Sequence, residues 1–206
     1  MNIMNMFRKV NDYIINSYMK CFHNELKKAF SCQSHLTIKE RVQLYKLAKE
    51  KENIAEIGSY IGASACCFGA ALLSNSNKER SQLFCIDTWQ NDAMSEGSRD
   101  TWNEFKSNTS DFEKVIVPIR GYSTDVIDQI ASNVSSLDLL FIDGDHSYDG
   151  VKADWDTYKG LLTKGSIVVF HDIGWAEGVQ RVVKQDVEPF VKEVGFLPNM
   201  WWGILR

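Results

Sequence analysis

The sequence predicts an α/β domain built on a doubly wound, mostly parallel sheet, preceded by helices and closed by an antiparallel strand pair. Short apolar runs alternate with segments of helical spacing from residue 53 onward. These runs are continuously apolar, which is typical of parallel strands covered on both faces. With 206 residues, the chain is long enough for one such domain without disulfides or a structural metal. We expect residues 1–50 to form a helical extension and residues 51–206 to form the α/β domain.

The first 50 residues carry apolar side chains at helical spacing, and we predict helix over residues 5–50. Phe7, Val10, Ile14, Tyr18 and Phe22 recur at three- and four-residue steps. The spacing of Thr37 and Glu40 is that of a capping box, which predicts that a second helix begins there and runs through Ala48.

Five strands and a C-terminal pair follow from the apolar runs. The predicted parallel strands are Ile54–Ile57, Leu83–Ile86, Val115–Ile119, Leu137–Ile142 and Ile167–Phe170. A helix over Gly178–Val194 and the antiparallel strands Phe196–Met200 and Trp202–Leu205 are predicted after them. The polar stretch Gln90–Asp111, with a helix near Arg99–Lys106, is long for a connection. We predict that it forms a lid in which Trp89, Trp102 and Phe105 exclude water and contact an acceptor.

Composition narrows the function classes. The 23 basic residues against 27 acidic ones give a net charge of −4, which predicts no nucleic-acid partner. Five cysteines without a C-x-x-C pair argue against a disulfide framework or a zinc knuckle and indicate reduced thiols. We see no signal-peptide pattern and no apolar stretch near the ~20 residues of a membrane helix. These observations predict a cytoplasmic protein with no membrane contact.

The ends of the first two strands suggest a nucleoside-containing ligand. Gly58 and Gly62 allow a tight turn into a helix and let a ligand approach backbone N–H groups, although a turn built for packing would need them too. Asp87 ends the second strand, where a carboxylate can accept the hydroxyls of a ribose bound across that turn.

The fourth and fifth strand ends carry the sharper signal. If these strands are neighbours, Asp143 and Asp172 lie close enough for one cation to bind both, with His171 as a third ligand. His146 is placed to act as a general base. The alternative for either histidine is an ordinary packed, hydrogen-bonded imidazole.

The residues at these strand ends resemble a known family. The turn from Glu56 to Ser64, Asp87, the Gly121–Ser123 segment, the block from Ile142 to Tyr148 and the closing His171-Asp172 are similar to class I S-adenosylmethionine-dependent methyltransferases. Within that class they resemble small metal-dependent O-methyltransferases related to cephalosporin-hydroxylase-like and macrolide-sugar enzymes. The resemblance covers about residues 37–206, and it implies a Rossmann-like methyltransferase fold.

The resemblance also implies roles for named residues. The methionine part of the cofactor would be held by Glu56, Gly58, Ser59, Tyr60, Gly62 and Ser64. The ribose would be bound by Asp87, with Thr88 and Trp89 also in the cofactor site, and the adenine would lie beside Gly121, Tyr122 and Ser123. Asp143, Asp145 and His146 would border the cofactor as well. Asp143, His171 and Asp172 would bind a divalent metal, Mg²⁺ or Mn²⁺, although relatives that modify sugars often have Glu at the position of His171. An imidazole there shifts the preference toward softer ions such as Mn²⁺ or Fe²⁺.

The implied reaction is methylation of a hydroxyl on a small molecule or sugar, with His146 as the base and Asp143 in the catalytic set. The leading helices are expected to shape the substrate entrance or a contact in a homo-oligomer. The alternatives are a catechol-type phenolic methyltransferase and a cofactor-binding module without turnover. A short-chain dehydrogenase that uses NAD is suggested by the spacing of Ser135, Tyr148 and Lys152, but its tyrosine would have to lie in mid-helix.

Overall fold

The computed structural model describes residues 14–90 and 97–206, and it contains one seven-stranded sheet. The strands are β1 (Asn53–Ile57), β2 (Gln82–Asp87), β3 (Ile116–Arg120), β4 (Leu137–Ile142), β5 (Leu162–His171), β6 (Val191–Leu197) and β7 (Met200–Leu205). Their order is β3-β2-β1-β4-β5-β7-β6. The first five strands are parallel to one another, whereas β7 runs antiparallel to both β5 and β6. The predicted doubly wound sheet with its C-terminal antiparallel pair is confirmed.

Helices cover both faces of the sheet. They are α1 (residues 14–22), α2 (Lys27–Ser31), α3 (Ile38–Ala48), α4 (Ala63–Ser74), α5 (Trp102–Thr109), α6 (Ile127–Ala131), α7 (Tyr148–Tyr158) and α8 (Glu177–Val182). One apolar core lies under α3, α4 and α5, and a second lies under α6, α7 and α8. Successive side chains of a strand enter opposite cores, as Ile54 and Ala55 do. The strands are therefore continuously apolar because both of their faces are buried.

The capping box at the start of α3 is formed as predicted. The backbone N–H of Glu40 donates to Thr37 Oγ1, and the backbone N–H of Thr37 donates to Glu40 Oε2 at 2.7 Å. The prediction of helix over residues 5–50 is wrong at residues 32–37, which are not helical. Its first part, residues 5–13, lies outside the described residues. The same is true of residues 91–96 in the polar segment.

The end of the chain differs from the prediction in where helix gives way to strand. The helix predicted to reach Val194 continues past α8 only as a π-helical turn and a 3₁₀ turn, and β6 begins at Val191. Pro189 lies in that last turn, where its ring opposes further helix. The strand predicted over Phe196–Met200 is split, because Leu197 pairs with Met200 across a two-residue turn.

No helix within residues 14–90 or 97–206 combines the length and the apolar character needed to cross a bilayer.

Two glycines fix the turn between β1 and α4. Gly58 has φ +87°, and a Cβ atom there would lie 2.1 Å from the carbonyl oxygen of Asp143. Gly62 has φ +89°, and a Cβ there would lie 2.6 Å from the side chain of Thr109. Both conformations favour glycine. These two glycines are therefore required for the close approach of β4 and α5, which corresponds to the packing alternative raised for the turn.

We expect Gly58→Ala to destabilise the fold by at least about 2 kcal/mol, because a left-handed backbone and a clash with fixed backbone atoms add together. Gly160→Ala is the matched control, since nothing lies within 4 Å of its added Cβ. Urea unfolding followed by circular dichroism would measure both variants. Equal stability of the two variants would contradict the account of Gly58.

Candidate functional site

The predicted site residues lie together at the C-terminal ends of the five parallel strands, which we call the carboxyl edge of the sheet. The strands β4 and β5 are direct neighbours, as the site prediction required, and β1 lies between β2 and β4. The backbone N–H of Asp143 donates to the carbonyl of Ile57, and that of Gly58 donates to the carbonyl of Ile86. The loops after β2, β1 and β4 are thereby joined at this edge.

The turn after β1 is built on a buried carboxylate. Glu56 is fully buried, and its Oε2 accepts a hydrogen bond from Ser59 Oγ at 2.8 Å. Burial raises the pKa of Glu56 to about 7, although hydrogen bonds with Ser64 and Ser59 oppose the shift. Its other oxygen, Oε1, has no hydrogen-bond partner within the described part of the chain. Glu56, Ser59, Gly62 and Ser64 are all buried, while Gly58 and Tyr60 are partly exposed.

Asp87 links the end of β2 to that turn. Its Oδ2 accepts from the backbone N–H of Tyr60 at 2.8 Å, and its Oδ1 accepts from that of Trp89 at 2.6 Å. Asp87 and Thr88 are both half-buried, so the carboxylate stays accessible from the edge of the sheet. The guanidinium of Arg120 donates to the carbonyl of Thr88.

Trp89 differs from its predicted place in the lid and at the ribose. It is fully buried and packs against Trp102 and Phe105 with tilted rings, whose centroids lie 4.6 and 4.8 Å away. Its indole N–H donates to the carbonyl of Tyr60. Because its ring is packed in this aromatic cluster and its N–H is bonded to Tyr60, Trp89 supports the backbone of the turn. Phe105 is buried in the same cluster.

The loop after β3 lies next to Asp87. The backbone N–H of Gly121 donates to the carbonyl of Asp87, and the following Tyr122 is 62% exposed. The hydroxyl of Ser123 donates to the carboxylate of Asp154 on α7. Burial raises the pKa of Asp154 to about 6, with the hydrogen bond from Ser123 opposing it.

His146 and Asp172 form a pair across the ends of β4 and β5. His146 Nε2 lies 2.9 Å from Asp172 Oδ2, and the side chain of His146 is 32% exposed. The hydrogen bond to Asp172 raises the pKa of His146 above its ordinary value, although partial burial opposes the shift. Asp145 points elsewhere, because its Oδ1 accepts from the backbone N–H of Ser147 at 2.6 Å.

His171 lies behind this pair, with its side chain only 1% exposed. Its Nδ1 is 3.1 Å from Asp143 Oδ1 and 3.3 Å from Asp172 Oδ1, while its Nε2 is 3.8 Å from Glu40 Oε2. Burial alone would lower the pKa of His171, but the charge of Asp143 and hydrogen bonds to the three carboxylates raise it to about 12. The Nδ1 atom of His171 therefore faces two carboxylates in this structure. The role of His171 as a metal ligand stays a prediction.

The three carboxylates around His171 differ in the direction in which their pKa values are shifted. Burial would raise the pKa of Asp172, but hydrogen bonds from His146 and His171 hold it well below the ordinary range. Burial raises the pKa of Asp143 above its usual value despite the charge of His171. Burial would likewise raise the pKa of Glu40, yet the nearby His171 ring and the hydrogen bonds from Thr37 keep it lowered.

A different trio could hold a metal. One ligand atom from each of Asp143, His146 and Asp172 lies within 4.8 Å of the others, and all three residues are partly buried. This donor set has His146 in the place where the sequence suggested His171. Two carboxylates and an imidazole suit ions such as Mn²⁺ better than they suit Mg²⁺, which prefers an all-oxygen shell.

Three residues next to the site were not predicted for it. Glu40 was identified only as a capping residue, yet its carboxylate faces His171. Asn199, in the turn between β6 and β7, donates through Nδ2 to Asp172 Oδ1 at 2.8 Å. Trp175, three residues after Asp172, donates its indole N–H to the same oxygen at 2.8 Å. Only Trp175 was close enough in sequence to a predicted site residue to be found from the pattern.

The dehydrogenase arrangement is not assembled. Ser135 precedes β4, at the opposite edge of the sheet from Tyr148, which begins α7 after that strand. The Tyr148 hydroxyl lies 3.3 Å from Asp186 Oδ2, and Lys152 pairs with Asp156 and Asp186. These side chains therefore belong to a polar contact between α7 and the segment after α8.

Comparison with known proteins identifies a methyltransferase domain in the part of the chain that carries most of the site residues. A family profile described as a methyltransferase domain matches residues 55–173. Two curated relatives are themselves called uncharacterized: y4gI of Sinorhizobium fredii (strain NBRC 101917 / NGR234) and R132 of Acanthamoeba polyphaga mimivirus. The first is 30% identical over 126 residues, which is 61% of this chain and 13% of the relative. The second is 28% identical over 148 residues, which is 67% of this chain and 61% of the relative. The chain thus spans less than two thirds of the length of either relative.

Solved O-methyltransferases share the fold. TomG from Streptomyces achromogenes, in complex with SAM, is 15% identical with a TM-score of 0.69, and the match covers 93% of this chain and 95% of TomG. The Bacillus cereus O-methyltransferase in complex with SAH is 13% identical, with a TM-score of 0.65 and coverage of 94% and 97%. CalS11, a TDP-rhamnose 3'-O-methyltransferase, is 18% identical, with a TM-score of 0.59 and coverage of 80% and 76%. Since the profile match spans more than half of the chain, the protein belongs to this methyltransferase-domain family and has the class I S-adenosylmethionine-dependent methyltransferase fold.

Proposed function

We propose that the protein transfers the methyl group of S-adenosylmethionine to a hydroxyl of a small molecule or sugar. The observation that carries this proposal is the pair of His146 and Asp172, an oriented and partly exposed imidazole at the carboxyl edge of a methyltransferase sheet. Support for a hydroxyl acceptor comes from the solved relatives, one of which is described as acting on TDP-rhamnose.

The residues of the turn after β1 fit the cofactor. S-adenosylmethionine carries an ammonium group and two ribose hydroxyls, and each of them needs an acceptor. Glu56 Oε1 is a buried acceptor without a partner among the described residues, and Asp87 is a half-buried carboxylate beside the turn. We assign contact with the cofactor to Gly58, Tyr60, Asp87 and the loop Gly121–Ser123. Ser59, Gly62 and Ser64 are buried below this surface and would shape it, while Glu56 Oε1 would accept from the ammonium group.

His146 would act as the base through Nδ1. If Nε2 carries the proton donated to Asp172, the lone pair of the neutral ring is on Nδ1. That nitrogen would take the proton of the acceptor hydroxyl as the oxygen attacks the sulfonium methyl carbon. The carbon–sulfur bond breaks with its electron pair on sulfur, leaving the neutral thioether. Most of the rate would come from positioning, since the sulfonium is already a good leaving group.

A divalent metal, if present, would be held by Asp143 and Asp172 with His146 as the third donor. Such an ion would lower the pKa of the acceptor hydroxyl. His146 cannot be base and ligand at the same time, so the two assignments are distinguishable by experiment. The phenolic, catechol-type alternative shares this donor set and differs only in the acceptor.

We expect Asp87→Ala to weaken S-adenosylmethionine binding at least tenfold, because the ribose loses its acceptor and the turn loses two backbone hydrogen bonds. Isothermal titration calorimetry would measure the affinity. Asp111→Ala, an exposed carboxylate ahead of β3, is the control and should bind as the wild type does. Unchanged affinity in Asp87→Ala would remove Asp87 from the cofactor site.

Replacing His146 by Ala should reduce methyl transfer ~10²-fold or more while leaving the affinity for S-adenosylmethionine within about twofold. Transfer of a radiolabelled methyl group to a panel of phenols and sugars would be measured beside calorimetric binding. His23→Ala, far from the sheet edge and paired with Glu25, serves as the control. A rate equal to that of the wild type would exclude His146 as the base.

Electron paramagnetic resonance of added Mn²⁺ tests the metal site. We expect wild-type protein to bind the ion and Asp172→Asn to lose that binding, because the amide removes one charged ligand of three. Asp149→Asn, exposed on the first turn of α7, should bind as the wild type does. If the wild type does not bind Mn²⁺ but still transfers methyl groups, the reaction is independent of metal and His146 is free to act as the base.

A further inference from the structure

Trp175 is an exposed aromatic side chain at the site. It is 61% exposed, whereas the other five tryptophans are buried or partly buried in the two cores. Exposure of a single large apolar side chain is common. Trp175 is distinguished by its contacts with Asp172 and His146. Its position beside the reacting groups indicates that it serves a ligand.

Several hydrogen bonds hold Trp175 in place. Its indole N–H donates to Asp172 Oδ1 at 2.8 Å, and its backbone N–H donates to the carbonyl of Asp172 at 3.2 Å. The preceding Gly174 donates its backbone N–H to Asn199 Oδ1 at 3.1 Å. A Cβ at Gly174 would lie 2.5 Å from the carbonyl of Pro198, so this turn is packed against the turn between β6 and β7.

The indole also lies against the proposed base. The ring centroids of His146 and Trp175 are 4.9 Å apart, with an interplanar angle of 68°. One edge of the site is therefore an imidazole that can accept a proton, and the adjoining surface is an apolar aromatic face. A ligand that rests on the indole presents its substituents to His146.

We propose that Trp175 is the residue that selects the acceptor, by stacking on the face of a hydroxylated ring. This inference rests on the proposed methyl transfer and adds its substrate class. An aromatic ring and the C–H face of a pyranose both offer the flat apolar surface that an indole binds, whereas a linear alcohol does not. Stacking would place a ring hydroxyl at the imidazole, and it would leave the bond from the indole N–H to Asp172 intact.

The test uses the indole N–H as a reporter. In a ¹H–¹⁵N spectrum, the indole signal of Trp175 is the one missing from Trp175→Phe. Catechol, methyl α-D-glucopyranoside and 1,2-hexanediol are each added to the full chain in the presence of S-adenosylhomocysteine. We expect at least one ring compound to shift this signal and the linear diol to leave it in place. Catechol and the glucoside distinguish an aromatic acceptor from a sugar. A signal unmoved by both rings, or moved equally by the diol, overturns the inference.

Two substitutions separate stacking from support of Asp172. Trp175→Leu keeps an apolar side chain without an aromatic face, and it should raise the KM for the ring acceptor about tenfold. Trp175→Phe keeps the face without the N–H donor, so its KM should stay within threefold of the wild type while kcat falls. Equal KM values for the two variants would overturn the inference. The control is Phe190→Leu, which changes an exposed aromatic side chain directly before β6, away from the carboxyl ends of the parallel strands.

Calorimetric titration with S-adenosylmethionine distinguishes the two levels of the proposal. If all of these proteins bind the cofactor but no ring reaches Trp175, the inference fails and the proposed cofactor chemistry stands. If the wild type does not bind the cofactor, the proposed function itself fails.

Discussion

One buried imidazole, that of His171, joins the elements at the carboxyl ends of the parallel strands. His171 lies among Glu40, Asp143 and Asp172, which come from α3 and from the ends of β4 and β5. Three carboxylates gathered in a desolvated space would repel one another unless a cation offsets their charge. The same ring lies between α3 and the ends of β4 and β5, so Glu40 of α3 is part of the charged surroundings of the site. The exposed pair of His146 and Asp172 rests on this arrangement, because Asp172 is held from behind by His171 and Asn199.

The fold could be predicted from the sequence because the relevant signals are local. Apolar runs of four to six residues marked the parallel strands, and the capping box of Thr37 and Glu40 marked the start of α3 to the residue. The boundaries were wrong where a distant partner decides them. Residues from Val191 onward have a helical pattern that continues from α8, yet they pair with β7. Pairing energy from a strand that comes later in the chain is not visible in the local period.

The candidate site was predictable to the extent that its residues follow strands directly. Asp87, Asp143, His146 and Asp172 all do, and topology then collects them. Glu40 and Asn199 could not be found in this way, since the first approaches from a helix and the second from a hairpin. Trp89 shows the converse error: it lies two residues after the site carboxylate Asp87, but its backbone has φ +52° and its side chain is in the core. Sequence proximity to a site gives the position of a backbone and leaves the direction of the side chain open.

The two-residue turn between β6 and β7 limits how this chain can vary in length. Asn199 occupies half of that turn and bonds to Asp172, while Met200 pairs at once with His171 across the sheet. One inserted or deleted residue would move the amide away from the carboxylate or shift the register of β7 by one place, which turns every side chain of that strand to the other face. Hairpin tips usually tolerate changes in loop length. Here the tip is part of the site, so variation in length should be confined to other connections.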